Sequence, residues 1–312
     1  MTLSSLVPSL KRFCIASAVC LAAASAFAQV AAPIPLETNM EGPISAIESD
    51  GGAGATMTVM GATIHVPASA HIHTPSATLT IAQLLDVTTP LPGRTQGGFL
   101  GATTISNGTV DPATGIVTAD DVFVEPAENV IVGVVTQNDT EFRVNNVPVV
   151  FLTDPRIPAA TPMNDLGFEI NLADVPVGIP ASIEGYYSND GSGLIQTFHL
   201  ECTGVRSKDP SLQVSMLRIR GDAATRSLEV RGGVSGLPAT GAVTIQIRAG
   251  NRVLGTVAAV RDPLLPGTAQ YRFRGVIPAP FPANITARVT AAGFPTAPRT
   301  RTANSAAQPT AQ

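Results

Sequence analysis

Val59–Ile72 reads VMGATIHVPASAHI, and Val144–Ile157 reads VNNVPVVFLTDPRI. The two stretches lie at a constant offset of 85 residues. Each spells a strand, a two-residue turn (Met60-Gly61 or Asn145-Asn146) and a second strand ending in a polar loop. The match extends outward. Gly42-Pro43-Ile44 aligns with Gly133-Val134-Val135 as an opening strand. Gly115-Ile116-Val117-Thr118 aligns with Gly193-Leu194-Ile195-Gln196, a turn feeding a closing strand that ends at Glu125 or Glu201. A self-similarity of this kind marks a duplicated structural unit. The chain therefore reads as two copies, 40–127 and 128–204, of one five- to six-stranded unit.

Composition agrees with an all-β protein: 28 Gly, 26 Pro and many short alternating runs rich in Val, Ile and Thr. The one helix expected is short, Ala77–Val87, where Leu79, Leu84 and Leu85 share a face. The order of parts in each copy is strand, hairpin, polar loop or short helix, a strand such as Ala181–Tyr187, a Gly turn and a last strand. It resembles the small OB-like barrels found singly or in tandem in exported bacterial proteins of unknown function. That resemblance covers about half the chain, implies a fold and carries no residues of known role. After it, Leu212–Arg220, Ser227–Gly232, Val243–Ala249, Arg252–Val260, Ala269–Arg274 and Ala283–Thr290 read as six strands joined by Gly- and Pro-rich turns. Even strand spacing over 206–295 resembles a bacterial immunoglobulin-like β-sandwich. Residues 296–312 hold Pro, Ser, Thr, Ala and Gln without a large apolar residue, which predicts a disordered tail.

Charge divides the chain along the same line. Residues 29–205 carry three basic residues against 19 acidic ones, a formal −16. Residues 206–312 carry 14 basic against four acidic, a formal +10. The net charge of −4 hides this split, which argues for parts with different partners or for one part docking on the other. Residues 1–28 have the form of a secretory signal: Lys11 and Arg12, an apolar run Phe13–Ala24, and Ala26-Phe27-Ala28 before Gln29. An exported product, periplasmic or secreted, is expected. Every later apolar run is interrupted by Pro, Gly or polar residues, so no integral membrane segment is expected. Cleavage would leave only Cys202, and one thiol makes no internal disulfide.

Candidate sites are few. His65, His71 and His73 cluster in sequence; His71 and His73 share a strand face, and the hairpin-like turn is expected to bring His65 near them as a site for Zn or Cu. A solvated loop with surface histidines is the competing reading. Asp120, Asp121, Glu125 and Glu128 read as a solvated acidic face, with Asp120 and Asp121 expected to point opposite ways on a strand. Arg218 and Arg220, and Arg272 and Arg274, are pairs two apart. If their strands are neighbours, the four guanidinium groups form an anion-binding patch. The other possibility is an ordinary polar sheet face.

HExxH, GxSxG, P-loop and CxxC motifs are absent from the sequence, and no catalytic residue or cofactor is assigned. Nucleic acid is not an expected partner, because the OB-like part is acidic and the chain has no Trp and three Tyr. The expectation is a non-enzymatic, exported modular β-protein with a binding or envelope-structural role. Its basic domain would meet an anionic envelope polymer, or self-associate with the acidic barrels. Two alternatives stay open: a periplasmic metal-binding accessory protein using His65, His71 and His73, and a hydrolase with a non-local site around His199 or the histidine cluster.

Overall fold

The computed structural model describes residues 36–291 and 297–302. The expected signal over 1–28 and positions 303–312 of the expected tail lie outside the described residues. The protein is nearly all β, with two closed five-stranded barrels and a two-sheet sandwich.

The first barrel comprises β1 (Leu36–Ser49), β2 (Ala55–Val59), β3 (Ala62–Val66), β5 (Thr103–Val110) and β6 (Val117–Glu125). They run in the order β3-β2-β1-β5-β6, and a parallel pairing of β3 with β6 closes the ring. The second comprises β7 (Asn129–Asn138), β8 (Phe142–Val144), β9 (Val147–Phe151), β11 (Pro180–Tyr187) and β12 (Ile195–Cys202). Its order, β9-β8-β7-β11-β12 with β9 parallel to β12, is the same. This connectivity fits tandem OB-like barrels. Each barrel adds one short strand running parallel to its closing strand: β4 (His71–His73) on β6, and β10 (Met163–Asn164) on β12.

The repeat holds at the level of register. Val59 and Val144 end equivalent strands, and both turns place two residues in the left-handed region: Met60 (φ 50°) and Gly61 (φ 84°), Asn145 (φ 51°) and Asn146 (φ 65°). Such turns match the twist of a tight hairpin. Ile44 pairs with Val59 as Val135 pairs with Val144, and Ile64 pairs with Val117 as Val149 pairs with Ile195. The helix α1 (Ile81–Leu85) is shorter than the sequence suggests. Thr80 and Gln83 close a capping box at its start, and Leu79 and Leu84 are buried.

Both barrels depend on a β-bulge in the closing strand. Asn107 pairs with Asp121 while Gly108 pairs with Ala119, which leaves Asp120 as the extra residue. In the second barrel Glu184 pairs with His199 and Gly185 with Thr197, which leaves Phe198 extra. A Cβ on Gly108 would stand 2.0 Å from the Thr118 carbonyl oxygen, and one on Gly185 would stand 2.2 Å from that of Gln196. The bulge also switches which side chains face inward. Ala119 and Val122 are both buried, with Asp120 and Asp121 successive and outward between them. The expectation that these two aspartates point opposite ways is therefore corrected. It assumed unbroken alternation, which a bulge suspends.

The barrels share a seam. Leu152, Ile157, Tyr186 and Phe198 of the second belong to one buried cluster with Leu91, Phe99 and the core of the first. The Tyr186 hydroxyl donates to the Pro92 carbonyl at 2.9 Å. Arg156 is 4 % exposed; it pairs with Asp154 at 2.8 Å and donates to the Thr89 and Pro90 carbonyls. Glu125, Glu128 and Glu184 gather near this seam, and burial followed by repulsion from the other two raises the Glu125 carboxyl to about 7.

The sandwich sets β13 (Gln213–Val214), β14 (Arg218–Asp222), β15 (Ser227–Ser235), β19 (Ala269–Val276) and β18 (Val260–Arg261) against β17 (Arg252–Ala258), β16 (Val243–Ala249), β20 (Asn284–Ala291) and β21 (Ala297–Thr302). Val230, Phe273, Ile245 and Val289 meet in its core. The single strand expected over Leu212–Arg220 is split in two, both parts pairing with β15. The tail expectation fails over Ala297–Thr302, which pairs antiparallel with β20. Backbone hydrogen bonds along an otherwise open sheet edge hold this segment, so its lack of large apolar residues was a poor guide.

Gly108→Ala and Gly185→Ala are each expected to destabilise the protein by about 1–3 kcal/mol, read as a lowered urea midpoint. Gly52→Ala, whose added carbon would meet only the exposed Asp50 side chain at ordinary contact distance (3.4 Å) on ordinary backbone, should stay within about 0.5 kcal/mol. An unchanged midpoint for both bulge variants would show that neither close approach matters.

Glu125 predicts a pH effect of defined sign. Its folded pKa is raised from 4.5 to about 7, so the folded state holds the proton more tightly than the unfolded chain. Its contribution is complete below about pH 4.5 and is lost as pH rises through about 7. Because Glu125 is half-buried, solvent screening cuts the effect to about 1–2 kcal/mol. Glu125→Gln should therefore gain stability relative to the parent between pH 5 and pH 8. Parallel stability–pH curves for the two proteins would refute the assignment.

Candidate functional site

Two clusters of side chains stand out, one on the sandwich and one on the first barrel. On the sandwich, β15 lies between β14 and β19, so the two expected arginine pairs are not direct neighbours. Register aligns Arg218 with Arg231 and Arg231 with Arg272 in one row, and Arg220 with Glu229 and Glu229 with Arg274 in the next. Ile219, Val230 and Phe273 alternate with them and face the core, so both rows lie on the outer face. Arg218, Arg220, Arg272 and Arg274 are thus brought onto one surface, with Arg231 added and Glu229 at its centre.

Glu229 is paired with Arg231, with Arg272 at 3.0 Å and with Arg274 at 3.0 Å. Burial alone would raise its carboxyl, but the hydrogen bonds and charges of Arg231 and Arg274 outweigh this and hold it below the usual range. One carboxylate thus serves three guanidinium groups. Arg218 and Arg220 have no ion pair among the described residues, and the Arg274 side chain is 63 % exposed. The second barrel meets the sandwich on the same sheet face one row beyond Arg231, where Leu166 and Phe168 pack against Gly233, Ser215 bonds the Leu166 carbonyl and Lys208 pairs with Glu169. Among the described residues no barrel carboxylate pairs with the arginine face. Sequence reasoning missed Arg231, although the Glu229–Arg231 spacing on an expected strand was the available signal.

On the first barrel, β4 runs parallel to β6 with His71 opposite Asp121 and His73 opposite Phe123. His71 Nδ1 lies 2.8 Å from Asp121 Oδ1, and His73 Nε2 lies 3.5 Å from the same oxygen. The two imidazoles stack at 4.7 Å, and Phe123 flanks His73 at 5.2 Å. One ligand atom from each of His71, His73 and Asp121 lies within 4.8 Å of the others. Burial would raise the Asp121 carboxyl, but the hydrogen bond from His71 and the charge and hydrogen bond of His73 hold it low. His65 is not part of the group. It sits on β3, 3.9 Å from Asp50, so the expected three-histidine set is corrected to two histidines and an aspartate. His65 and His71 pair with different stations of β6, Thr118 and Asp121, and the third partner arrives from that strand some 50 residues later, where local spacing gave no signal.

The remaining candidates separate. Cys202 is fully buried, and burial pushes its thiol up to about 12, which leaves no reactive thiolate at neutral pH. His199 lies opposite Glu184 on β11, outside the barrel interior that Cys202 occupies. Tyr186 is buried at the seam, whereas the neighbouring Tyr187 is exposed. Among the described residues no helix is long and apolar enough to cross a membrane.

No family model matches the chain, and no curated protein matches it. Among solved structures, it is similar to the crystal structure of a tetra-tandem repeat in the extending region of a large adhesion protein. Sequence identity there is 12 %, the TM-score is 0.21, and the match covers 87 % of this chain and 68 % of the other.

Proposed function

We propose that this chain is an exported, non-catalytic modular β-protein that holds an anionic polymer on its sandwich. In this reading, residues 40–127 and 128–204 are two OB-like modules and 206–295 an immunoglobulin-like one. The observation that carries it is the arginine face: five guanidinium groups in two rows, one carboxylate among them, and among the described residues no barrel carboxylate paired with them. Planar guanidinium forks bind phosphate, sulfate or carboxylate groups in pairs, and a flat sheet face offers repeated points of contact rather than one deep pocket. The barrels, with a formal −16 over residues 29–205, repel the same polymer and confine it to the sandwich. A polymer of the cell envelope fits the expected export.

Binding is expected to be driven by charge. Titrated with long-chain polyphosphate, the full chain without its leader should lose roughly tenfold or more in affinity between about 50 and about 200 mM salt. Arg218→Ser with Arg220→Ser should weaken binding and flatten the salt dependence without lowering the melting temperature. Affinity indifferent to salt, or to this double substitution, would overturn the reading. So would association of copies with each other at low salt in preference to polyphosphate, measured by light scattering.

A further inference from the structure

We infer that His71, His73 and Asp121 form a binding site for a divalent transition-metal ion of the zinc–copper class, with Asn107 and Asn39 as positioning residues behind the aspartate. The site lies on the first barrel and does not depend on the polymer reading of the sandwich.

The first support is the bulge. Ala119 faces the barrel interior, so unbroken alternation would send Asp121 inward beside it. The extra residue Asp120 reverses the alternation and delivers the Asp121 carboxylate to the outer face, against His71 and His73. The close approach at Gly108 that permits the bulge therefore also sets the position of the third ligand.

The second support is a row of polar side chains across four adjacent strands. Asn39 pairs with Asn107, Asn107 with Asp121, and Asp121 with His71 in direct register. The Asn39 amide donates to Asn107 Oδ1 at 2.6 Å, and the Asn107 side chain in turn hydrogen-bonds Asp121. Metal-ligating carboxylates and imidazoles are held this way by an outer layer of hydrogen bonds, which fixes their aim and raises their affinity. A solvated ion pair has no need of such a chain. Phe123 packs at a tilt against the His73 ring, 5.2 Å between centroids.

The donor set decides the class of ion. Two imidazoles and one carboxylate suit Zn²⁺, Cu²⁺ or Ni²⁺, whereas Ca²⁺ and Mg²⁺ require oxygen ligands throughout. Three protein ligands on an exposed surface leave coordination positions for water or for an outside donor.

Equilibrium dialysis of the full chain without its leader against Zn²⁺ alone tests the proposal, with Co²⁺ absorption as a second readout of ligand number and type. One ion per chain is expected. Asp121→Asn should weaken binding at least tenfold, and His71→Ala with His73→Ala should abolish it. Asn107→Ala should weaken it roughly tenfold and alter the Co²⁺ bands, which loss of fold stability alone would not do. His65→Ala should leave it unchanged, and thermal melts confirm that each variant is folded. Failure to bind one Zn²⁺ below about 100 µM overturns the site, as does full binding by the double histidine variant or loss of binding in His65→Ala. Unchanged affinity and spectrum in Asn107→Ala would overturn the role given to the asparagines.

Discussion

The fourth strand of each barrel passes so close to the fifth that one of its residues has no room for a side chain. Gly108 and Gly185 occupy these points, each facing a carbonyl oxygen at little more than 2 Å from where a Cβ would lie. The contact follows from geometry. A five-stranded sheet closes on itself only with strong local curvature, and a bulge supplies it by giving one strand an extra residue. What the extra residue does next differs between the copies. In the first it carries Asp120 and Asp121 into solvent, and in the second it turns Phe198 out of its own barrel and into the core of the other. One backbone constraint thus sets both the polar cluster of the first barrel and the seam that joins the two.

Electrostatics is arranged by domain rather than by pairing across domains. The barrels bury one guanidinium, Arg156, and leave most of their carboxylates to solvent or to turns. The sandwich collects its arginines on one sheet face around Glu229. Lys208 and Glu169 pair where the parts meet, and among the described residues no barrel carboxylate pairs with the arginines of that face. A chain with so uneven a distribution presents fields of opposite sign over its acidic and basic parts. Such fields act on approaching ions over about a Debye length and weaken as salt rises.

Much of this was legible in the sequence because hairpins are local. The offset between Val59 and Val144 places both turns, both flanking strands and, through Gly115 and Gly193, the start of both closing strands. Three things were not legible, each for its own reason. The parallel pairings of β3 and β4 with β6 join residues about 50 apart, so Asp121 had no visible connection to His71. The order β14-β15-β19 depends on which strand lies in the middle, and spacing within a strand says nothing of that; hence Arg231 was missed. The bulges break the alternation from which side-chain direction is read, which misplaced Asp120 against Asp121. The strand at Ala297–Thr302 is the converse case, since backbone pairing gives structure to a segment whose side chains promise none.

Repeat arrays grow when every unit offers its successor the same apolar seat, and they stop where that seat is polar. Phe198 and Asp120 are equivalent positions, and they give opposite answers. The second barrel docks on the first through the surface around Phe198, whereas the same surface of the first holds Asp120 beside Asn39, Asn107 and Glu37. A further barrel arriving there in the same manner would have to strip water from a carboxylate with nothing to replace it. The two copies thus use equivalent positions of one fold for opposite ends: Phe198 joins the barrels, and Asp120 keeps the matching surface of the first barrel polar.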